Sequence, residues 1–207
     1  MDALAFRDIA RRKCTNVNQV NFLNWPAEEV LPSRRAQQRR RRVMLDLLET
    51  FGAAFPEITY ELFWESPTIN SQAWRLGSVR CVRVYGGLVR HRALTKYGLA
   101  LMLAHETGHH LGGPPYDPDM PWISWQGQAD YWAASVGMKR VFGSRAQATT
   151  IRGAFQIREL HGDFARALDD DEPDLSSECR HKIFLAGARG ALIPDCANKA
   201  FTQVCSD

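Results

Sequence analysis

His105-Glu106-Thr107-Gly108-His109 is the stretch of this sequence best suited to do chemistry. Two histidines four residues apart on a helix share one face, about one turn along the axis. Their imidazoles can then present nitrogens to a single Zn²⁺ ion. Glu106 projects about 100° around the same helix. From there it can hydrogen-bond a water on the metal and serve as general base. The apolar run Leu99 to Ala104 precedes the motif, Gly108 permits close backbone approach, and a glycine-rich break follows at once. These neighbours favour a buried site over two surface histidines on an amphipathic helix.

A third ligand is needed. The pattern HExxHxxGxxH would put a histidine at position 115, and that residue is Pro115. Downstream, Gln126 and Asp130 are four apart and share a face of the following helix. His110 points about 100° away from His109 and reads as a local hydrogen-bonder. His91 lies just before the motif helix, within reach of the cleft. His161, Arg158, Tyr116 and Tyr131 are candidates to donate to a tetrahedral oxyanion. Trp122, Trp125 and Trp132 flank the motif and serve either a substrate pocket or the core.

The elements that must position these residues follow from local signals. Ser33 caps a helix from Arg34 to Phe51, closed by Gly52. Ile58 to Trp64 is aromatic and β-branched and reads as a strand. Val79 to Tyr85 reads as a second, with Arg80 and Arg83 interrupting its alternation and Gly86-Gly87 ending it. Thr95 caps a helix from Lys96 to Leu111, which carries the motif and ends at Gly112-Gly113-Pro114-Pro115. Residues 114–125 form a loop. Helices are expected from Gln126 to Phe142, Ser144 to Leu168 and Ser177 to Ala188, with Asp169 to Asp174 as an acidic linker. One helix, then strands, then several helices argues for an α+β fold, a small sheet on a helical body. Residues 1–32 read as an irregular N-terminal segment and 33–207 as a single domain, with 176–207 as a C-terminal segment that a disulfide could staple.

The segments His105-Glu106-Thr107-Gly108-His109-His110-Leu111-Gly112-Gly113 and Gln126-Gly127-Gln128-Ala129-Asp130-Tyr131 resemble the zincin metallopeptidases of the thermolysin, or gluzincin, type. The resemblance is closer to small bacterial exported metallopeptidase-like proteins with GGxxRH, HExGHHxGG and EGQADY stretches and a cysteine-bearing C-terminal segment. Here those stretches are Gly86 to His91, His105 to Gly113, Gln126 to Tyr131, and Cys179-Arg180 with Pro194-Asp195-Cys196. Across residues 79–200 the resemblance implies a zincin-like fold with a small, mostly antiparallel sheet, a zinc cofactor and a peptide or protein substrate. It also implies a glutamate as third ligand and an aspartate one turn later that orients a ligand histidine.

The chain departs from that pattern at Gln126, since a neutral amide is a poor zinc ligand beside a carboxylate. Three readings stand. Gln126 is a Glu→Gln change made to quiet an active enzyme; Asp130 moves onto the metal to give a His/His/Asp site; or the protein is a natural metal-poor relative that binds peptides without cutting them. Asp130 as an orienting residue for His105 or His109 is preferred over Asp130 as a ligand. The strand Val79 to Tyr85, just upstream of the motif, is placed to bind extended peptide along a free edge.

Composition bounds the alternatives. At 207 residues, 45% hydrophobic and 24% charged, the chain can bury a sizeable core, which excludes global disorder. The longest apolar run, Gly98 to Ala104, is too short to span a bilayer. Net charge is +3, and the arginines from Arg34 to Arg42 point around all faces of their helix, so nucleic acid is not the expected partner. Five cysteines are too few for a disulfide scaffold, but Cys179, Cys196 and Cys205 crowd the C-terminal segment. The first residues, Met1 to Cys14, lack the apolar stretch of a signal peptide. A periplasmic or secreted location is expected if Met1 follows a removed leader, and a cytoplasmic one otherwise.

Overall fold

A computed structural model of the chain describes residues 23–24, 32–117, 120–164 and 175–198. Most of the N-terminal segment, the acidic linker, Cys14 and Cys205 lie outside the described residues. The first helix, α1 (Arg34–Ala54), starts where expected: the Ser33 side chain accepts a hydrogen bond from the Ala36 N–H. It runs through Gly52 rather than closing there. Phe51 and Phe55 are both fully buried, one turn apart. Burying the second aromatic outweighs the cost of about 1 kcal/mol for a helical glycine. The arginine run divides by direction. Arg40 turns inward, donating to the carbonyls of Val89, His91 and Leu94, while Arg34, Arg35, Arg39, Arg41 and Arg42 are exposed.

Five strands follow the chain: β1 (Leu23–Asn24), β2 (Ile58–Phe63), β3 (Thr68–Ile69), β4 (Ser71–Leu76) and β5 (Val79–Tyr85). β1 and β3 form a two-residue antiparallel pair. The main sheet has the order β2-β5-β4, with β2 parallel to β5 and β4 antiparallel to it. The fold is α+β as expected, but the sheet is mixed rather than mostly antiparallel. β5 is also not a free edge, because it pairs along its length on both sides. Its neighbour β4 is not legible as a strand in the sequence: Ser71, Gln72 and Arg75 dilute its apolar signal. It returns through a tight turn at Gly77, whose φ of 58° suits glycine. Arg83 breaks the alternation of β5 without harm, since it pairs with Glu61 on β2 at 2.8 Å and lies over the Phe63 ring.

β5 continues directly into the short helix α2 (Gly86–Arg90). A side chain on Gly86 would collide with the Trp64 carbonyl, and one on Gly87 with that of Pro67. The motif helix α3 (Lys96–Leu111) then begins at Thr95, whose hydroxyl accepts from the Tyr97 N–H. Every residue from Gly98 to His110 is buried, which makes α3 the centre of the molecule. The sheet and α1 pack against it, and so do the later helices, except that the last of them packs on its neighbours instead. The later helices are α4 (Gln126–Trp132), a π-helical turn (Ala133–Gly137), α5 (Met138–Phe142), α6 (Ala146–Phe164) and α7 (Ser177–Arg189). The stretch expected as one helix over 126–142 thus carries a π turn. Small residues fill it, and Gly187 of α7 sits against Ala134. Among the described residues no helix is long and apolar enough to cross a membrane.

Candidate metal centre

The packing of α3 explains why polar groups sit at its buried heart. Its Gly108 lies against α4: a Cβ there would stand 2.7 Å from the Ala129 carbonyl oxygen. The two backbones therefore meet, and the next residue, Asp130, is carried against His105. The Gln128 amide adds a bond to the Gly112 carbonyl at 2.6 Å. Gly108→Ala is expected to force the helices apart and destabilise the fold by about 1–3 kcal/mol, the usual cost of overpacking. Urea unfolding checks this; an unchanged midpoint would show that the contact can yield.

His105, Glu106 and His109 are all buried, and one ligand atom from each lies within 4.8 Å of the others. The imidazole centroids are 4.5 Å apart and the rings nearly perpendicular. His105 Nδ1 is 2.7 Å from Asp130 Oδ1, and His109 Nδ1 is 2.7 Å from the Ser124 carbonyl oxygen. A carboxylate and a carbonyl only accept, so each Nδ1 carries a hydrogen and donates it. Each Nε2 lone pair is then left for a cation. Burial, reinforced by His105, pushes His109 down to about 3, so its ring is neutral at pH 7. Two buried imidazoles in the ligating tautomer beside a carboxyl group are a donor set that could hold a metal ion.

Glu106 is anchored to the sheet. Its Oε1 accepts from the Ser71 hydroxyl at 2.7 Å, and the Ala73 backbone N–H also bonds the carboxylate. Burial raises its pKa above the ordinary range, against the opposing pull of His105, Ser71 and Arg180. A carboxyl with increased proton affinity suits a general base.

Asp130 is fully buried, and both its oxygens are engaged. Arg180 grips it with a two-pronged contact, Nε to Oδ2 at 2.8 Å and Nη2 to Oδ1 at 2.9 Å, in addition to the His105 bond. Burial alone would raise the carboxyl; Arg180 and then His105 reverse this and hold it below the usual carboxylate range. The geometry is that of an orienting residue for His105. Gln126 opens α4 between two such contacts. It follows Ser124, which touches His109, by two residues, and precedes Asp130, which touches His105, by one turn. It is partly exposed.

The remaining candidates separate. His161, on α6, comes within electrostatic reach of Arg180, Asp130 and His105; burial first, then Arg180, pushes it down to about 3. His110 turns to the sheet, bonding the Cys81 carbonyl at 2.9 Å and stacking on Trp122. His91 is buried, its Nδ1 accepting from the Ala93 N–H, and it does not join the His105 cluster. The Tyr131 hydroxyl donates to the Ala191 carbonyl at 2.8 Å, away from the cluster. Arg158 pairs with Glu178 at the surface, and Tyr116 is exposed in the loop, bridged to Ser124. Trp125 packs beside Cys179 and Ile183, and Trp132 against Phe55.

Three contributors carry no sequence signal that ties them to the motif: Ser71, Ser124 and Arg180. Of these, Arg180 alone has a flag, its place beside Cys179 in a segment of the resemblance. Cys179 forms a disulfide with Cys196, which settles which cysteines of the C-terminal segment pair among the described residues. No family model, curated protein or solved structure matches the chain.

Proposed function

We propose that this chain is a zincin-type peptidase that binds Zn²⁺ through His105 and His109 and uses Glu106 as its general base. The observation that carries the reading is the double tautomer lock: Asp130 and the Ser124 carbonyl each hold an Nδ1–H, freeing both Nε2 atoms beside a buried carboxyl group. Two imidazoles with an oxygen donor in an open site suit zinc among the common divalent ions. When bound, such an ion polarises a carbonyl and acidifies water. Glu106 would take the proton from the attacking water and deliver it to the departing amine nitrogen. Ser71 and Ala73 fix the carboxylate on the side of β4. His161, near Arg180 and His105, is the candidate best placed to donate to the oxyanion.

β4 takes over the substrate role expected of β5. Among the described residues it pairs within the main sheet on one side only, and its Ser71 and Ala73 bond Glu106. An extended peptide added along that edge would bring its carbonyl past the cluster. The disulfide supports an oxidising compartment.

Zinc titration and casein cleavage test the reading. One tightly bound zinc per chain is expected, with hydrolysis abolished by chelation. Glu106→Gln should retain zinc and lose about a thousandfold in rate. A chain that binds no zinc, or a Glu106→Gln variant that cleaves as well as the parent, would defeat it. Gln126 favours a second reading, a protein of the same build that binds peptide without cutting it. Zinc-dependent peptide binding with no cleavage would select that one.

A further inference from the structure

Arg180 lies 75 residues from His105 in sequence, yet its Nη2 passes 3.5 Å from His105 Nδ1. Its fork closes on Asp130, whose side chain has no exposure, while the guanidinium side chain keeps 16%. Without Arg180, the carboxylate would keep only His105 as a hydrogen-bond partner among the described residues. A buried charge left so poorly compensated relaxes by moving. For Asp130 the nearest relief is to turn toward the cluster, releasing the His105 Nδ1–H and approaching any cation as a ligand.

We propose that Arg180 is a positioning residue of the metal centre: its two-pronged grip keeps Asp130 as the acceptor of the His105 Nδ1–H, which fixes the His105 tautomer and holds Asp130 off the metal. The position of Arg180 is itself set by its neighbours. It sits in the first turn of α7, where the Ser176 hydroxyl accepts from the Cys179 N–H and Cys179 is covalently tied to Cys196. Ile183 and Trp125 pack around that tie. The disulfide thus anchors the turn that carries the guanidinium. The proposal rests on the metal-binding reading only for its metal arm; the tautomer belongs to the metal-free protein.

The test combines two readouts on the full chain. In histidine-¹⁵N-labelled, metal-free protein, long-range ¹⁵N–¹H correlations report the His105 tautomer, expected as Nδ1–H in the parent. Arg180→Met should mix the two tautomers, and Arg180→Lys, which keeps the charge but not the fork, should fall between. In Co²⁺ titrations, Arg180→Met should bind about 10- to 100-fold more weakly, with an altered visible spectrum. The double variant Cys179→Ser/Cys196→Ser should weaken Co²⁺ binding in the same direction. A folded Arg180→Met with the parent's tautomer, affinity and spectrum overturns the proposal. If that variant does not fold, Arg180→Lys decides by the same criteria. A parent that binds no Co²⁺ or Zn²⁺ defeats the functional reading instead, and the tautomer arm still judges Arg180.

Discussion

Gln126→Glu is expected to tighten zinc binding by at least about 100-fold, since a carboxylate ligand on the ion is worth no less than the outer-sphere partners for which that is the upper figure. Charge is the reason. With zinc present, the +2 of the ion is met by Glu106 when ionised, while Asp130 is already balanced by Arg180. The buried site is left with a surplus positive charge, and a carboxylate at position 126 removes it. If residue 126 stands in the site, the same substitution should lower the stability of the metal-free protein, because the added carboxylate then has no cation to offset it. The parent and variant should therefore cross over: the variant melts lower without zinc and higher with it. Competition against a chromophoric chelator reads the affinity, and thermal unfolding with and without zinc reads the crossover. If cleavage appears together with the tighter binding, the amide is what restrains the chain. An affinity that does not move would place residue 126 outside the coordination sphere.

The features legible in the sequence are those set by local spacing. Thr95, the apolar run and the Gly112 break delimit the motif helix, and its observed bounds match those expected. The relation of Gln126 to Asp130 is likewise a helix repeat. What is not legible is whatever depends on contacts between distant segments. Ser71 reaches Glu106 from 35 residues away, and Arg180 reaches Asp130 from 50. No periodicity encodes such pairings, because they follow from how α7 docks on α4 and β4 on α3. β4 is hidden for a related reason. Its stability comes from pairing with β5, and its residues, read alone, lack the apolar alternation of a strand. The π turn after α4 is tertiary too: its small residues sit between α3 and α7, with Gly137 near Ala104 and Ala134 against Gly187.

Acid should unfold the metal-free protein steeply, starting well above the pH at which the His109 ring itself takes a proton. His109 and His161 are pushed down to about 3 and His110 to about 4, each chiefly by burial, from an ordinary value near 6.5. Their folded values lie below their unfolded ones, so these groups contribute stability that is complete above about pH 6.5. It is lost as pH falls, because the unfolded chain takes up protons that the folded chain refuses. Three such histidines approach a slope of about 4 kcal/mol per pH unit below pH 6. Glu106 works the other way. Its raised carboxyl takes a proton in the folded state before it does in the unfolded one, which removes up to one proton from the difference. Asp130, held low, adds its loss only below its ordinary value of 3.8. Urea unfolding at pH 7, 6 and 5 measures the slope directly. His110→Gln, which keeps a donor for the Cys81 carbonyl, should reduce it by about 1.4 kcal/mol per pH unit, and His161→Gln by a similar amount. A slope untouched by either substitution would mean that these rings are not neutral in the folded chain.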